Sequence, residues 1–276
     1  MKKLIKKGIN IIIDFMFIFV KSNVQRAKIY TFFSKLIYNK VNEIEYDGNL
    51  NVFWLKSNPD YLFAVDKPYF NYSKANLYNF LTNVYCKNYT PKKGDVVIDL
   101  GAGVGTETLF FYEKIGANGK IHSIEASPNT FIKLNDLCNK NNFTNTSNYN
   151  IAISNFVGKI WIEETDKFEV NQVNTSKKGL EINCYTFDQF TLDNNITRID
   201  FLKVNIEGAE LEMIDGMVNS IKFIDNVAIS CHDFLFSENK NIMTKVVQFL
   251  KNNNFEISYN QSGNKVIDSW VYGKRK

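Results

Sequence analysis

The segment Val96-Val97-Ile98-Asp99-Leu100-Gly101-Ala102-Gly103-Val104-Gly105-Thr106 constrains the fold more than any other stretch of the chain. An apolar run ends in an acid and passes at once into three alternating glycines and a helix start. Glycine lacks a Cβ, so such a loop can turn sharply and lie flat against a ligand. The helix that follows then offers its unpaired N–H groups to that ligand. A dinucleotide loop needs G-x-G-x-x-G, and here the third glycine, Gly105, comes one residue early. No Lys-Ser/Thr pair follows in the phosphate-loop arrangement. A second apolar strand, from Lys120, ends in Glu125, roughly twenty residues past the loop, where a carboxylate can accept hydrogen bonds from both hydroxyls of a ribose.

From this point strands and helices alternate, which predicts a mostly parallel sheet with helices on both faces. Core strands are expected at 96–100, 121–125, 148–153, 201–205 and 227–231. Helices are expected over 106–115, from Ser127 as N-cap and Pro128 as first helical residue to about 141, over 209–217, and over 241–252. Two strands, 255–259 and 270–272, close the chain. Strand-like segments at 159–163 and 180–185 flank a polar loop at 165–178. Before the sheet, residues 1–45 read as helical, with an amphipathic segment at 24–41. Short strands at 43–72 are punctuated by Asp47-Gly48 and Asn58-Pro59-Asp60, and 73–89 reads as a helix. The expected division is an extension, 1–90, and a ligand-binding domain, 91–276.

A net charge of +4, with 45% hydrophobic and 22% charged residues, is ordinary for a globular chain. Much of the excess sits at the ends, in Lys2, Lys3, Lys6 and Lys7 and in Lys274, Arg275 and Lys276, so no basic stripe argues for a nucleic-acid partner. Cys86, Cys138, Cys184 and Cys231 form no C-x-x-C pair and only two histidines accompany them, so no metal site is expected. Cys138, Cys184 and Cys231 read as core residues, and the chain as a reduced, cytoplasmic one. Residues 9–20 are almost wholly apolar, too short to span a bilayer and followed by no small-residue cleavage site. Two readings of residues 1–21 stay open: a helix lying in the inner membrane surface, or one packed against the domain or a second subunit in a homodimer.

A second motif is Asp200-Phe201-Leu202-Lys203-Val204-Asn205-Ile206-Glu207-Gly208-Ala209-Glu210, a strand that runs into an acidic, glycine-containing turn. In an open α/β sheet, ligands sit beyond the carboxyl ends of the strands, so this turn and the glycine loop are expected to flank one crevice. The glycine loop resembles motif I of S-adenosyl-L-methionine (SAM) methyltransferases. Together, Asp99 to Gly105, Glu125 and the Lys203–Glu210 segment resemble the FkbM family of those enzymes, over about residues 90–235. Ala152, Gly158 and Tyr185-Thr186-Phe187-Asp188 fall where that family has comparable features.

The resemblance implies a Rossmann-like class I methyltransferase fold, with a seven-stranded, mostly parallel sheet and an antiparallel C-terminal hairpin. It implies SAM as cofactor, held by Asp99, Gly101, Ala102, Gly103, Gly105, Thr106, Glu125, Ser127 and Asn205, with Ala126 and Ala152 lining the adenine. The family moves the methyl group to oxygen, so the expected acceptor is a small molecule or glycan, through a saccharide or glycoconjugate hydroxyl. Such transfer needs alignment and removal of a proton. The catalytic candidates are His232, Asp233, Lys203 and Glu207. His232 reads either as a base oriented by the adjacent Asp233 or as a satisfied structural histidine. Glu210 reads as a complement to a helix N-terminus, and His122 as a packed residue. Tyr69, Phe70 and Tyr72 read either as a lid or as packing. Asn205 stands where the family has Asp, which argues against a metal or a carboxylate base there. Two rival readings remain: a nucleotide-dependent oxidoreductase, and a SAM-binding protein without catalysis.

Overall fold

The computed structural model describes residues 18–38, 42–68, 72–163, 172–174, 179–235 and 241–276. The chain divides into two compact units, Met1–Leu77 and Tyr78–Lys276. The first unit carries helix α1 (Asn23–Tyr38) and strands β1 (Asn42–Asp47), β2 (Val52–Ser57) and β3 (Asp60–Val65), which form an antiparallel sheet in that order. The helix ends earlier than expected, before the first strand. Asp47 makes the first hairpin turn by accepting the N–H groups of Asn49 and Leu50 at 2.9 and 3.2 Å. Ala27 and Tyr30 of α1 are buried along with Trp54, Leu55 and Leu62 of the sheet. Tyr72 is buried, its hydroxyl lying between the carbonyls of Glu43 and Lys56, so packing is the role it takes. Tyr69, Phe70 and residues 1–17 lie outside the described residues. Among those described, no helix is long and apolar enough to cross a membrane.

Helix α2 (Lys74–Val84) spans the division, and the second unit then runs β4 (Val96–Leu100), α3 (Thr106–Ile115), β5 (Lys120–Ile124), α4 (Pro128–Lys140) and β6 (Thr146–Tyr149). Next come β7 (Ala152–Ser154), β8 (Gly158–Glu163), β9 (Gln172–Asn174), β10 (Leu180–Thr186) and α5 (Phe187–Asp193). The chain closes with β11 (Phe201–Val204), α6 (Glu210–Asp215), β12 (Asn226–Ser230), α7 (Ile242–Asn252), β13 (Phe255–Tyr259), α8 (Lys265–Asp268) and β14 (Trp270–Arg275). Seven strands form the main sheet in the order β13-β14-β12-β11-β4-β5-β6. The pairings through β12, β11, β4, β5 and β6 are parallel, and β14 is antiparallel to both of its neighbours.

A separate four-stranded sheet, β7-β10-β8-β9, corrects the expectation of one strand over 148–153. The Asn150 side-chain amide donates to the carbonyls of Glu125 and Ala126, each at 2.9 Å, and the chain leaves one sheet for the other there. The short helix α5 was not expected. Thr186 caps it, its hydroxyl accepting the Gln189 N–H at 3.0 Å. The expected loop at 165–178 contains β9 and otherwise lies outside the described residues.

β4 is central and buried on both faces. Val97, Ile98, Asp99 and Leu100 are all buried, the pattern of a parallel strand covered by helices on each side. Ile98, Leu100, Leu202, Val204, Val227 and Ile229 belong to one core cluster with Leu250 and Phe255. The carboxyl ends of β4, β5, β11 and β12 therefore share an edge, and the loops that leave it carry most of the candidate residues.

Candidate functional site

Each glycine of the loop has a left-handed φ, +75° at Gly101, +55° at Gly103 and +89° at Gly105, but the three have different surroundings. A Cβ on Gly101 would come within 1.9 Å of the Asn205 carbonyl oxygen, so this glycine lets the ends of β4 and β11 approach. A Cβ on Gly105 would meet Leu134 and Leu137 of α4 at 2.8 and 2.9 Å, so that glycine serves helix packing. A Cβ on Gly103 would meet nothing within 4 Å. Of the three, Gly103 is the one that borders open space. Ala102 is fully buried against Leu134 and Cys138, which turns its methyl group away from the crevice. Thr106, the first residue of α3, is half-buried.

Asp99 and Lys203 also turn inwards. They are register partners on adjacent parallel strands, their side chains are 0% and 1% exposed, and Lys203 Nζ lies 2.9 Å from Asp99 Oδ1. The same ammonium donates to the Gly101 carbonyl at 2.7 Å, while the Thr108 hydroxyl reaches Asp99 Oδ2 at 3.3 Å and Ser123 Oγ at 3.1 Å. Burial works against the Lys203 charge, but Asp99 and Glu107 outweigh it and hold the ammonium above the usual lysine value. Neither side chain is exposed to touch a substrate or cofactor. The pair instead ties the glycine loop to β11.

Glu125 does face the loop. Its carboxylate accepts the Gly103 and Ser127 N–H groups, each at 2.9 Å, and burial pushes it up to about 7. The Ser127 hydroxyl accepts the Thr130 N–H as the cap of α4, and so is engaged in structure. Ala152 is buried among Ile160, Ile162, Ile182 and Cys184, with Ala126 packed against that cluster. Asn205 is half-buried at the end of β11. The sequence reading passed over Glu107, whose carboxyl burial pushes above the usual range. Its place in the first turn of α3 reads equally well as a complement to the helix dipole.

The acid that holds His232 is not its neighbour. Asp233 accepts the Ile242 and Met243 N–H groups at 2.7 and 2.9 Å, capping α7, which corrects the expectation that it orients the histidine. His232 Nδ1 lies 2.6 Å from Glu210 Oε1, and Nε2 lies 3.5 Å from Glu207 Oε1 and from Ser230 Oγ. Glu210 Oε1 also accepts the Gly208 N–H at 3.1 Å. Both nitrogens are thus directed at carboxylates. Burial lowers the pKa of His232, but Glu207 and Glu210 overcome it and raise the group to about 9. His122, on β5, is lowered to about 4 by burial and lies 3.0 Å from the Tyr149 hydroxyl. Among the described residues, no group of three or more His, Cys, Asp or Glu is placed to hold a metal ion.

With only two histidines in the chain, a ¹³C-histidine NMR titration separates them. His232 is expected to remain an imidazolium at pH 7 and to lose its proton near pH 9, and His122 to stay neutral down to about pH 4. The folded value of His232 exceeds the 6.5 of a free histidine, so its contribution to stability is full below pH 6.5 and is lost as pH rises through about 9. The depressed His122 acts oppositely, and stability falls as pH drops from 6.5 towards 4. A His232 midpoint near 6.5 would show that the two carboxylates do not hold it.

Strand order, parallel core and reversed last strand together make this a Rossmann-like class I methyltransferase fold. The sequence profile of the methyltransferase FkbM domain matches residues 99–257. The chain belongs to the FkbM methyltransferase family. It is 23% identical over 142 residues to the hexuronic acid methyltransferase AglP of Haloferax volcanii, a match covering 51% of this chain and 57% of that one. Among solved structures it is similar to the methyltransferase FkbM from Methylobacillus flagellatus KT, with a TM-score of 0.48, 16% identity and coverage of 68% of this chain and 45% of that one. It is also similar to Aeropyrum pernix fibrillarin in complex with natively bound S-adenosyl-L-methionine, with a TM-score of 0.47, 13% identity and coverage of 84% and 93%. The chain thus spans about half the length of the haloarchaeal relative and of the Methylobacillus protein it matches.

Proposed function

We propose that the protein is a SAM-dependent O-methyltransferase acting on a saccharide or glycoconjugate hydroxyl. The observation that carries the cofactor reading is the open space at Gly103 beside the half-buried carboxylate of Glu125, within the stretch matched by the family profile. Glu125 would hold the ribose, Gly103 would let the loop lie against the methionine part, Ala126 would border the adenine, and Asn205 would face the amino-acid end. Bound there, SAM supplies a methyl group already activated on a sulfonium. The saccharide reading draws on the name of the haloarchaeal relative; the relative's match covers only part of each chain.

The protein's own task is to position a hydroxyl and take its proton. His232 is unsuited to that, because both ring nitrogens are engaged. In the Glu210–His232–Glu207 chain, the side chains of Glu210 and His232 are 0% and 4% exposed, whereas that of Glu207 is 25% exposed. Glu207 also adopts φ +52°, a conformation that costs a non-glycine residue energy. It is the proton acceptor in this reading, and His232 positions it.

The test is calorimetry with SAM, followed by incubation with methyl-labelled SAM and a panel of uronic acids, neutral hexosides and their glycolipids. Label on a sugar oxygen with release of S-adenosylhomocysteine is expected. Glu207→Gln is expected to bind SAM unchanged and to transfer about 10²-fold more slowly or worse. Folded wild-type protein that takes up no SAM would overturn the reading. A Glu207→Gln enzyme of full activity would remove Glu207 from the mechanism.

A further inference from the structure

Helix α1 carries large apolar residues on its outer side as well as its inner one. Ala27, Tyr30 and Ser34 are buried, and the Thr31 hydroxyl accepts the Ile44 N–H of β1 at 2.9 Å, so one side of the helix is held to the small sheet. The opposite side carries Val24, Phe32 and Leu36, which are 51%, 60% and 66% exposed. Their spacing in multiples of four sets them along that side. Ile18 and Phe19, just ahead of the helix, are exposed as well. Exposed lysines accompany them: Lys28 and Lys35, seven residues apart and so in one row, and Lys21 before the helix. Between Asp14 and Glu43 the chain has no acidic residue and five basic ones, Lys21, Arg26, Lys28, Lys35 and Lys40. A helix side meant only for water is polar, whereas bulky apolar residues beside lysines are what a helix lying in a membrane surface presents.

We propose that this side of α1 is a docking surface for an anionic lipid bilayer, with Val24, Phe32 and Leu36 entering the headgroup boundary and Lys21, Lys28 and Lys35 meeting lipid phosphates. The proposal goes beyond the methyl-transfer reading and does not depend on it. Phenylalanine and leucine gain by leaving water at the acyl boundary, and lysine stems can lie along that boundary with the ammonium still solvated. Charge selects the occupant. A second copy docked through its own α1 would set lysine against lysine, with no carboxylate between Asp14 and Glu43 to answer them. Glu43 itself is taken up at the inner edge, 3.6 Å from Lys35 and 3.5 Å from Lys56. An anionic bilayer offers what this side lacks, an apolar layer beneath a sheet of negative charge. Binding of such a helix grows with the apolar area it buries and with its attraction to anionic lipid, so both sets of side chains contribute.

Co-sedimentation of the full chain with phosphatidylcholine vesicles, with and without about a third phosphatidylglycerol, tests this. Wild type is expected to bind the anionic vesicles about tenfold more tightly than the neutral ones, and to bind them less tightly as salt rises. Residues 1–20 share the basic and apolar composition of α1, so the substitutions are confined to the helix and the lysine before it. Phe32→Ser/Leu36→Ser should weaken binding to anionic vesicles about tenfold. Lys21→Gln/Lys28→Gln should weaken it by about the same factor and leave binding to neutral vesicles as it was. Because these side chains are exposed, both double variants should melt at the temperature of wild type, which separates loss of docking from loss of fold. Folded wild type that stays in the supernatant with anionic vesicles overturns the proposal. Binding that both variants keep at wild-type strength also overturns it and puts the contact outside α1. A wild type that is a dimer by light scattering, and a monomer as Phe32→Ser/Leu36→Ser, overturns it in favour of a second copy on this side.

Discussion

Lys203→Met is expected to destabilise the protein by about 3–5 kcal/mol, seen as a fall of roughly 10 °C in melting temperature for a unit of this size. The reason is what the substitution leaves behind. Asp99 is 0% exposed, and its Oδ1 faces the lysine at 2.9 Å, so the methionine strands a carboxylate with no water to solvate it. The Gly101 carbonyl loses its 2.7 Å donor as well, and the Thr108 hydroxyl is left as the remaining polar contact of Asp99, at 3.3 Å. Lost packing is a minor part, because methionine fills most of the lysine stem's volume. The double variant Lys203→Met/Asp99→Asn removes the stranded charge and should recover more than half of the loss. Thermal melts of wild type and the two variants decide the matter. A single variant within about 1 kcal/mol of wild type would show that the buried pair contributes little. Full loss in the double variant would show that the lysine stem, and not its charge, is what β11 needs.

The same pair shows where sequence reasoning stops. β4 and its glycine loop were legible because a parallel strand covered on both faces must be a continuous apolar run, and only glycines tolerate the turn after it. An acid at the end of such a strand reads alike whether it faces the crevice or the helix above. Asp99 was therefore taken for a ligand, and its pairing with Lys203 depends on strand register. His232 presents the same difficulty. The adjacent Asp233 was the acid the sequence offered, whereas the one used, Glu210, arrives from another element and lies against the ring at 2.6 Å. Strand β7 has three residues and α5 has seven, too few to show a period. The break between β6 and β7 turns on one amide, Asn150, bonded to two carbonyls of the β5–α4 loop. Glu125, in contrast, was expected beside the glycine loop from its spacing at a strand end, and its carboxylate does accept the Gly103 N–H at 2.9 Å.

Gly101→Ala and Gly103→Ala are expected to separate the loop's two duties. Both positions have left-handed φ, which costs an alanine about 1–2 kcal/mol, so that strain is common to the pair. At Gly101 the new methyl carbon would stand 1.9 Å from the Asn205 carbonyl oxygen and 2.8 Å from its carbon. Backbone on the neighbouring strand cannot swing away as a side chain can, so β4 and β11 must part at their carboxyl ends. That adds about 1–3 kcal/mol, for a total of roughly 2–5 kcal/mol, and it pulls the Gly101 carbonyl from Lys203. At Gly103 the methyl group enters open space, and the cost stays near the strain alone. It would, however, stand in the volume assigned to the cofactor, where about tenfold weaker SAM binding is expected from lost close approach. Denaturant melts and SAM calorimetry on both variants therefore cross over. Gly101→Ala loses stability first, and Gly103→Ala loses affinity with stability nearly intact. A Gly103→Ala protein that binds SAM like wild type would place the cofactor elsewhere than against this glycine. A Gly101→Ala protein as stable as Gly103→Ala would mean that the strand ends have slack that the 1.9 Å approach denies.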